Sequence, residues 1–92
     1  MIKHMIGMVM DDLRDIDMMV DYAEEAKEHG ERQEVINWFS IHAKERLNEL
    51  ERDWREVERE LRDRDRSGEI ADAMICHISH SIERARAEVA KH

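Results

Sequence analysis

Residues 36–61 read INWFSIHAKERLNELERDWREVEREL. Ile36, Ser40, Ala43, Leu47, Leu50, Trp54, Val57 and Leu61 recur in alternating steps of four and three. That is the period of one helix face and not of a strand. From Lys44 onward every residue between these positions is polar, so the stretch predicts a long amphipathic helix over roughly 31–66. The same steps continue outward in both directions. Val9, Leu13, Ile16, Val20 and Ala23 predict a first helix over roughly 8–29. Ala71, Ile75, Ile78, Ile82, Ala85 and Val89 predict a third over roughly 69–90. Each row is the seam of near-parallel helix packing.

The breaks agree with the seams. Gly30 follows Lys27, Glu28 and His29, the pattern of a helix that ends on a left-handed residue. Ser67-Gly68-Glu69 reads as a stop, an N-cap and an early acid. Proline is absent and glycine occurs three times, so no turn-rich β pattern competes. Two short connections make sequential helices antiparallel neighbours. The expected fold is all-α: a long antiparallel helical hairpin plus a third helix, in a single domain spanning residues 1–92. Arg62-Asp63-Arg64-Asp65-Arg66 carries no apolar residue and reads equally as a solvated last turn or a flexible joint.

Ninety-two residues bury only about 60 per cent of their unfolded surface, which is marginal for a monomer. The second helix would run to about 50 Å and the others to about 30–35 Å. Trp54, Val57 and Leu61 then lie on the end that a three-helix monomer would leave uncovered, to pack on the third helix, on another subunit or on both, and a dimer or higher homo-oligomer completing the bundle is expected. Met18, Met19 and Met74, among seven methionines, read as adaptable core near the seams.

The net charge is −8, and residues 1–30, 31–66 and 67–92 carry −5, −2 and −1. With no third basic, nucleic acid and anionic membranes are disfavoured, while cations and basic protein surfaces remain. No apolar run is long enough to span a bilayer. The first ten residues are apolar but run directly into Asp11 and Asp12, unlike a secretory signal. With one cysteine, a reducing cytoplasmic setting is expected.

Three constellations could carry chemistry. On the first helix Asp15 and Tyr22 are seven apart, in a stripe with Met8, Asp12 and Met19 beside the seam. On the second, His42, Glu45 and Glu49 share an edge with Asn48. Asp15 and Glu45 each stand fifteen residues from Gly30, so a hairpin sets them at one height. Oxygen and imidazole groups converging from facing helices are how bundles hold iron or manganese. This acid–Tyr–turn–Glu hairpin over residues 10–54 resembles the ferritin-like hairpin, closest to the small encapsulated type. The resemblance implies a di-metal site completed by dimerisation, with Asp15 and Glu45 as ligands and Tyr22 beside them. Asn48 stands where that family has histidine, and His42, one turn earlier, is the candidate substitute. Asp15, His42, Glu45 and Glu49 are therefore the expected ligands for iron, manganese or zinc. The same acids also read as a solvated face.

Cys76, His77, His80 and Glu83 form an alternative cluster on the third helix, a thiolate–imidazole–carboxylate set suited to zinc. They also read as a small thiol and exposed histidines at an oligomer seam, with a pH-sensitive interface between the two readings. Glu69-Ile-Ala-Asp72, with Asp53-x-x-Glu56 upstream, resembles the acidic motifs of the all-α nucleotide pyrophosphohydrolases of the MazG type. That would imply Mg²⁺-dependent hydrolysis, although Glu69 and Asp72 also suit a helix first turn by dipole alone. Enzymatic activity has less support than metal binding or a role as a non-enzymatic assembly module.

Overall fold

The computed structural model describes residues 2–64 and 69–91, without the side chains of residues 2, 64 and 69–71. It is all-α: α1 spans Ile2–Glu28, α2 Gln33–Arg64 and α3 Glu69–Ala90. The bundle measures 53 × 19 × 15 Å, and α2, with 32 residues, runs nearly its whole length at about 1.5 Å per residue.

The turn between α1 and α2 is built as the sequence anticipates. Gly30 sits at φ +69°. The Glu31 amide donates to the Ala26 carbonyl at 2.9 Å and the Gly30 amide to the Lys27 carbonyl at 3.2 Å. This pair of bonds closes the end of α1 on a left-handed glycine and satisfies carbonyls that the helix leaves open. The chain reverses, and α2 starts with Glu34 in its first turn, where the helix dipole favours an acid.

All three seams point inward. Val9, Leu13, Ile16 and Val20 of α1 meet Ala43, Leu47, Leu50, Trp54 and Val57 of α2 and Ile75, Ile78, Ile82, Ala85 and Val89 of α3 in one core. Ile16, Leu50, Val9 and Val57 are the largest fully buried side chains. Arg62 pairs with Asp72 at 3.5 Å, and Arg86 Nη2 and Nε donate to Glu51 Oε1 at 2.8 and 3.0 Å. These pairings run α3 antiparallel to α2. Being exposed, they orient the helices more than they stabilise them.

The structure corrects the start of α1 and the uncovered end, and narrows two readings that the sequence left open. α1 begins at Ile2 and not near residue 8, because Met5 and Ile6 pack against the core and carry the helix through Gly7. Trp54 and Val57 are buried within the single chain, since α3 returns along that end of α2, while Leu61 is partly buried against the core. The uncovered end is the opposite one: Val89, near the end of α3, lies level with Val20 and Ala43, and the hairpin continues past it to Gly30. Residues 62–64 continue α2, as the last-turn reading of that stretch has it, and residues 65–68 lie outside the described residues.

The two glycines of the hairpin should respond oppositely to alanine. A Cβ at Gly7 meets nothing within 4 Å, so Gly7→Ala is expected to stabilise by about 0.5–1 kcal/mol through helix propensity. Gly30→Ala should destabilise by roughly 1 kcal/mol, because alanine resists positive φ. Urea denaturation of the two variants checks the signs; a loss of stability in Gly7→Ala would contradict the described path of α1.

Candidate metal centre

One face of the hairpin, turned away from α3, collects acids from both helices. Asp12 on α1 is only 6% exposed although it carries a carboxyl group. Glu49 and Asp53 approach it from α2, one turn apart. Oxygens of these three carboxylates lie within 4.8 Å of one another, the sole group of three or more potential metal-ligating side chains this close among the described residues. Arg46 reaches across the same face. Its guanidinium stands 3.5 Å from Asp12 Oδ1, 3.6 Å from Glu49 Oε2 and 3.9 Å from Asp15 Oδ2.

Three carboxylates therefore share one guanidinium, and Asp53 adds a fourth acid beside them. Asp12 Oδ2 is buried and accepts no hydrogen bond. Burial pushes the Asp12 carboxyl above the usual carboxylate range. Glu49 pushes in the same direction, Arg46 opposes, and Asp53 and Asp15 add to the rise. The fold thus holds an oxygen that wants a proton or a cation and is given neither in full by its neighbours.

The donor set suits a hard divalent ion. Ligand bonds of about 2.0–2.6 Å place neighbouring oxygens about 3–5 Å apart, which matches the spacing here. With oxygen donors only, the group fits magnesium, manganese or calcium better than a soft-ligand zinc site.

Among the expected ligands, Glu49 belongs to this group. Asp15 stands beside it, paired with Arg46. His42 and Glu45 pair with each other, Nδ1 to Oε2 at 3.4 Å. Glu45 and Asn48 border a shallow surface cleft with Glu51, Arg52 and Arg55. Tyr22 packs on Phe39 with ring centroids 5.5 Å apart. On α3, Cys76 is a free, exposed thiol and His77, His80 and Glu83 are exposed. These four do not bring three ligand atoms together. Of the acidic motifs, Asp53 joins the α1–α2 group, Glu56 pairs with Arg59 at 3.3 Å and Asp72 with Arg62, while the Glu69 side chain lies outside those described.

Asp12 and Arg46 are the residues that sequence reasoning did not single out as ligands or partners, and Asp53 entered it only with Glu56 in the acidic motif, not with Asp12 and Glu49. A signal for the acids was present: Glu49 and Asp53 are four apart, and Asp12 and Asn48 stand equally far from Gly30. No family model, no curated protein and no solved structure matches this chain.

Asp12→Asn tests the strained carboxyl. A raised folded-state pKa means that protonation stabilises the fold at low pH and that this contribution disappears as pH rises through the folded pKa. In chelator-containing buffer at pH 7 the variant should be more stable than the native chain by roughly 1–3 kcal/mol, the cost of an unsatisfied buried group. The advantage should shrink as pH falls to the ordinary carboxylate range, where native Asp12 is itself neutral. Thermal melts at a series of pH values read both features, and an Asn variant less stable at every pH would refute the strain.

Proposed function

We propose that this protein is a divalent-cation-binding helical bundle, in which Asp12 on α1 and Glu49 and Asp53 on α2 hold a hard ion such as Mn²⁺, Mg²⁺ or Ca²⁺. The observation that carries the reading is Asp12 Oδ2, buried and without a hydrogen-bond donor, inside a group of three carboxylates. A dication would neutralise most of the excess negative charge that one guanidinium leaves. It would also tie α1 to α2 across the face that α3 does not cover. This keeps the interhelical metal that the ferritin-like resemblance implies and moves it one to two helical turns away from the hairpin turn. The ion's part here is electrostatic: it supplies positive charge where carboxylates from two helices converge. Arg46 holds Asp12, Asp15 and Glu49 in place around it and limits the net charge of the empty cluster. The reading is of binding, and through binding of stability.

Manganese titration with thermal denaturation is the test. An ion that binds only the folded chain adds about 2.7 kcal/mol at one hundred times its dissociation constant. For a domain of this size that corresponds to a rise in Tm of about 10 °C or more. The native chain should show this rise with one Mn²⁺ per chain. Asp12→Asn and Asp53→Asn should lose it while keeping their helicity. Asp15→Asn should keep most of it, whereas the ferritin-like assignment expects it to be lost. A native Tm unmoved by Mn²⁺, Mg²⁺ and Ca²⁺ at millimolar concentration would reject the proposal.

A further inference from the structure

The hairpin extends beyond α3 toward Gly30, and the chain concentrates its aromatic rings there. Of four aromatic residues, Tyr22, Trp38 and Phe39 lie on this end, and only Trp54 is in the core. Trp38 is 54% exposed, Ile41 53% and Tyr22 46%. The rings are held against one another: Trp38 meets Phe39 edge-on at 5.1 Å and lies tilted at 48° to His42 at 4.1 Å, and Phe39 meets Tyr22 at 5.5 Å. A platform of rigid rings loses little conformational freedom when covered, which is why aromatics dominate binding surfaces.

Two clefts flank the platform and share Val35 and Phe39. One, of about 320 Å³, is lined by Tyr22, Glu25, Ala26, His29, Glu31, Val35 and Phe39. The other, of about 280 Å³, is lined by Glu34, Val35, Trp38 and Phe39. Their charged rim is Glu25, Glu31 and Glu34 against a single histidine. None of the three glutamates makes an ion pair among the described residues. A second copy of this chain would bring the same three glutamates and a net charge of −8 to a surface already acidic. A basic partner meets complementary charge instead.

We propose that the turn end of the hairpin is a docking surface for a basic amphipathic helix of another protein. Neighbouring large apolar side chains of that helix enter the two clefts beside Phe39 and Trp38. Lysines or arginines on its flanks face Glu25, Glu31 and Glu34. Helix-in-groove recognition of this kind takes its affinity from the apolar anchors and its selectivity and encounter rate from the rim charges. The surface stands apart from Asp12, Glu49 and Asp53, and its occupancy does not depend on a bound ion.

Calorimetric titration of the full chain with a synthetic eighteen-residue helix of leucine and lysine tests this, with a leucine–glutamate helix as control. Saturable binding to the basic helix alone is expected, weakening as salt is raised. Trp38→Ala should weaken it at least tenfold. The triple variant Glu25→Gln, Glu31→Gln, Glu34→Gln should weaken it severalfold and flatten its salt dependence. All of these positions are exposed, and circular dichroism checks that both variants keep the native helicity. Absence of saturable binding, equal binding of the acidic helix, or undiminished binding by Trp38→Ala would each overturn the proposal. So would sedimentation showing a dimer of the native chain that Trp38→Ala dissolves, because the occupant would then be a second copy.

Discussion

The register of α1 against α2, set by the turn at Gly30, is the constraint on which the rest of this molecule depends. A left-handed glycine closes α1 after Glu28 and returns the chain antiparallel. From there every cross-pairing follows by height: Tyr22 against Phe39, then Asp12 and Asp15 against Arg46, then Asp12 against Glu49 and Asp53. A slip of one residue would turn the seam by about 100° and put Ile16 or Leu50 toward water, so the apolar rows hold the register that the turn begins. The acidic face and the aromatic end are thus two outcomes of one geometric decision.

The unequal lengths of the helices divide the hairpin into two regions. α3, with 22 residues, covers the part of α2 that carries Trp54 and Val57. Beyond Val20 and Ala43 the hairpin is a helix pair whose narrow seam is closed by Ala23, Ala26, Ile36 and Ser40. The larger rings are left on the outside, where α3 does not reach them.

Much of this was legible from periodicity. The rows Val9–Ala23, Ile36–Val57 and Ile75–Val89 are buried as their spacing required, because a packed helix gives each 3.6-residue stripe a single environment. The start of α1 was less legible, since Gly7 among methionines resembles a frayed end until Met5 and Ile6 are seen against the core. Whether α3 or another subunit covers Trp54 stayed open, because the path of α3 is a tertiary fact that no local pattern contains; in the structure α3 covers it. Asp12 shows most clearly why the site was only half readable. Its position beside the seam was apparent, but its depth and its pairing with Arg46 are tertiary facts that leave no trace in spacing. Glu45 illustrates the converse: it stands at the height of Asp15, yet it is exposed and turned to His42.

The central claim is that Asp12 is a buried carboxylate in need of a cation. The most direct measurement is the titration of its side-chain carboxyl carbon by nuclear magnetic resonance, first with chelator and then with Ca²⁺. The structure predicts ionisation above the ordinary carboxylate range without the ion and a fall below it when Ca²⁺ is present, since a bound dication favours the charged form. An Asp12 that ionises at about 3.9, the unperturbed value, and does not move with Ca²⁺ would contradict both the strain in the empty site and the ion proposed to relieve it.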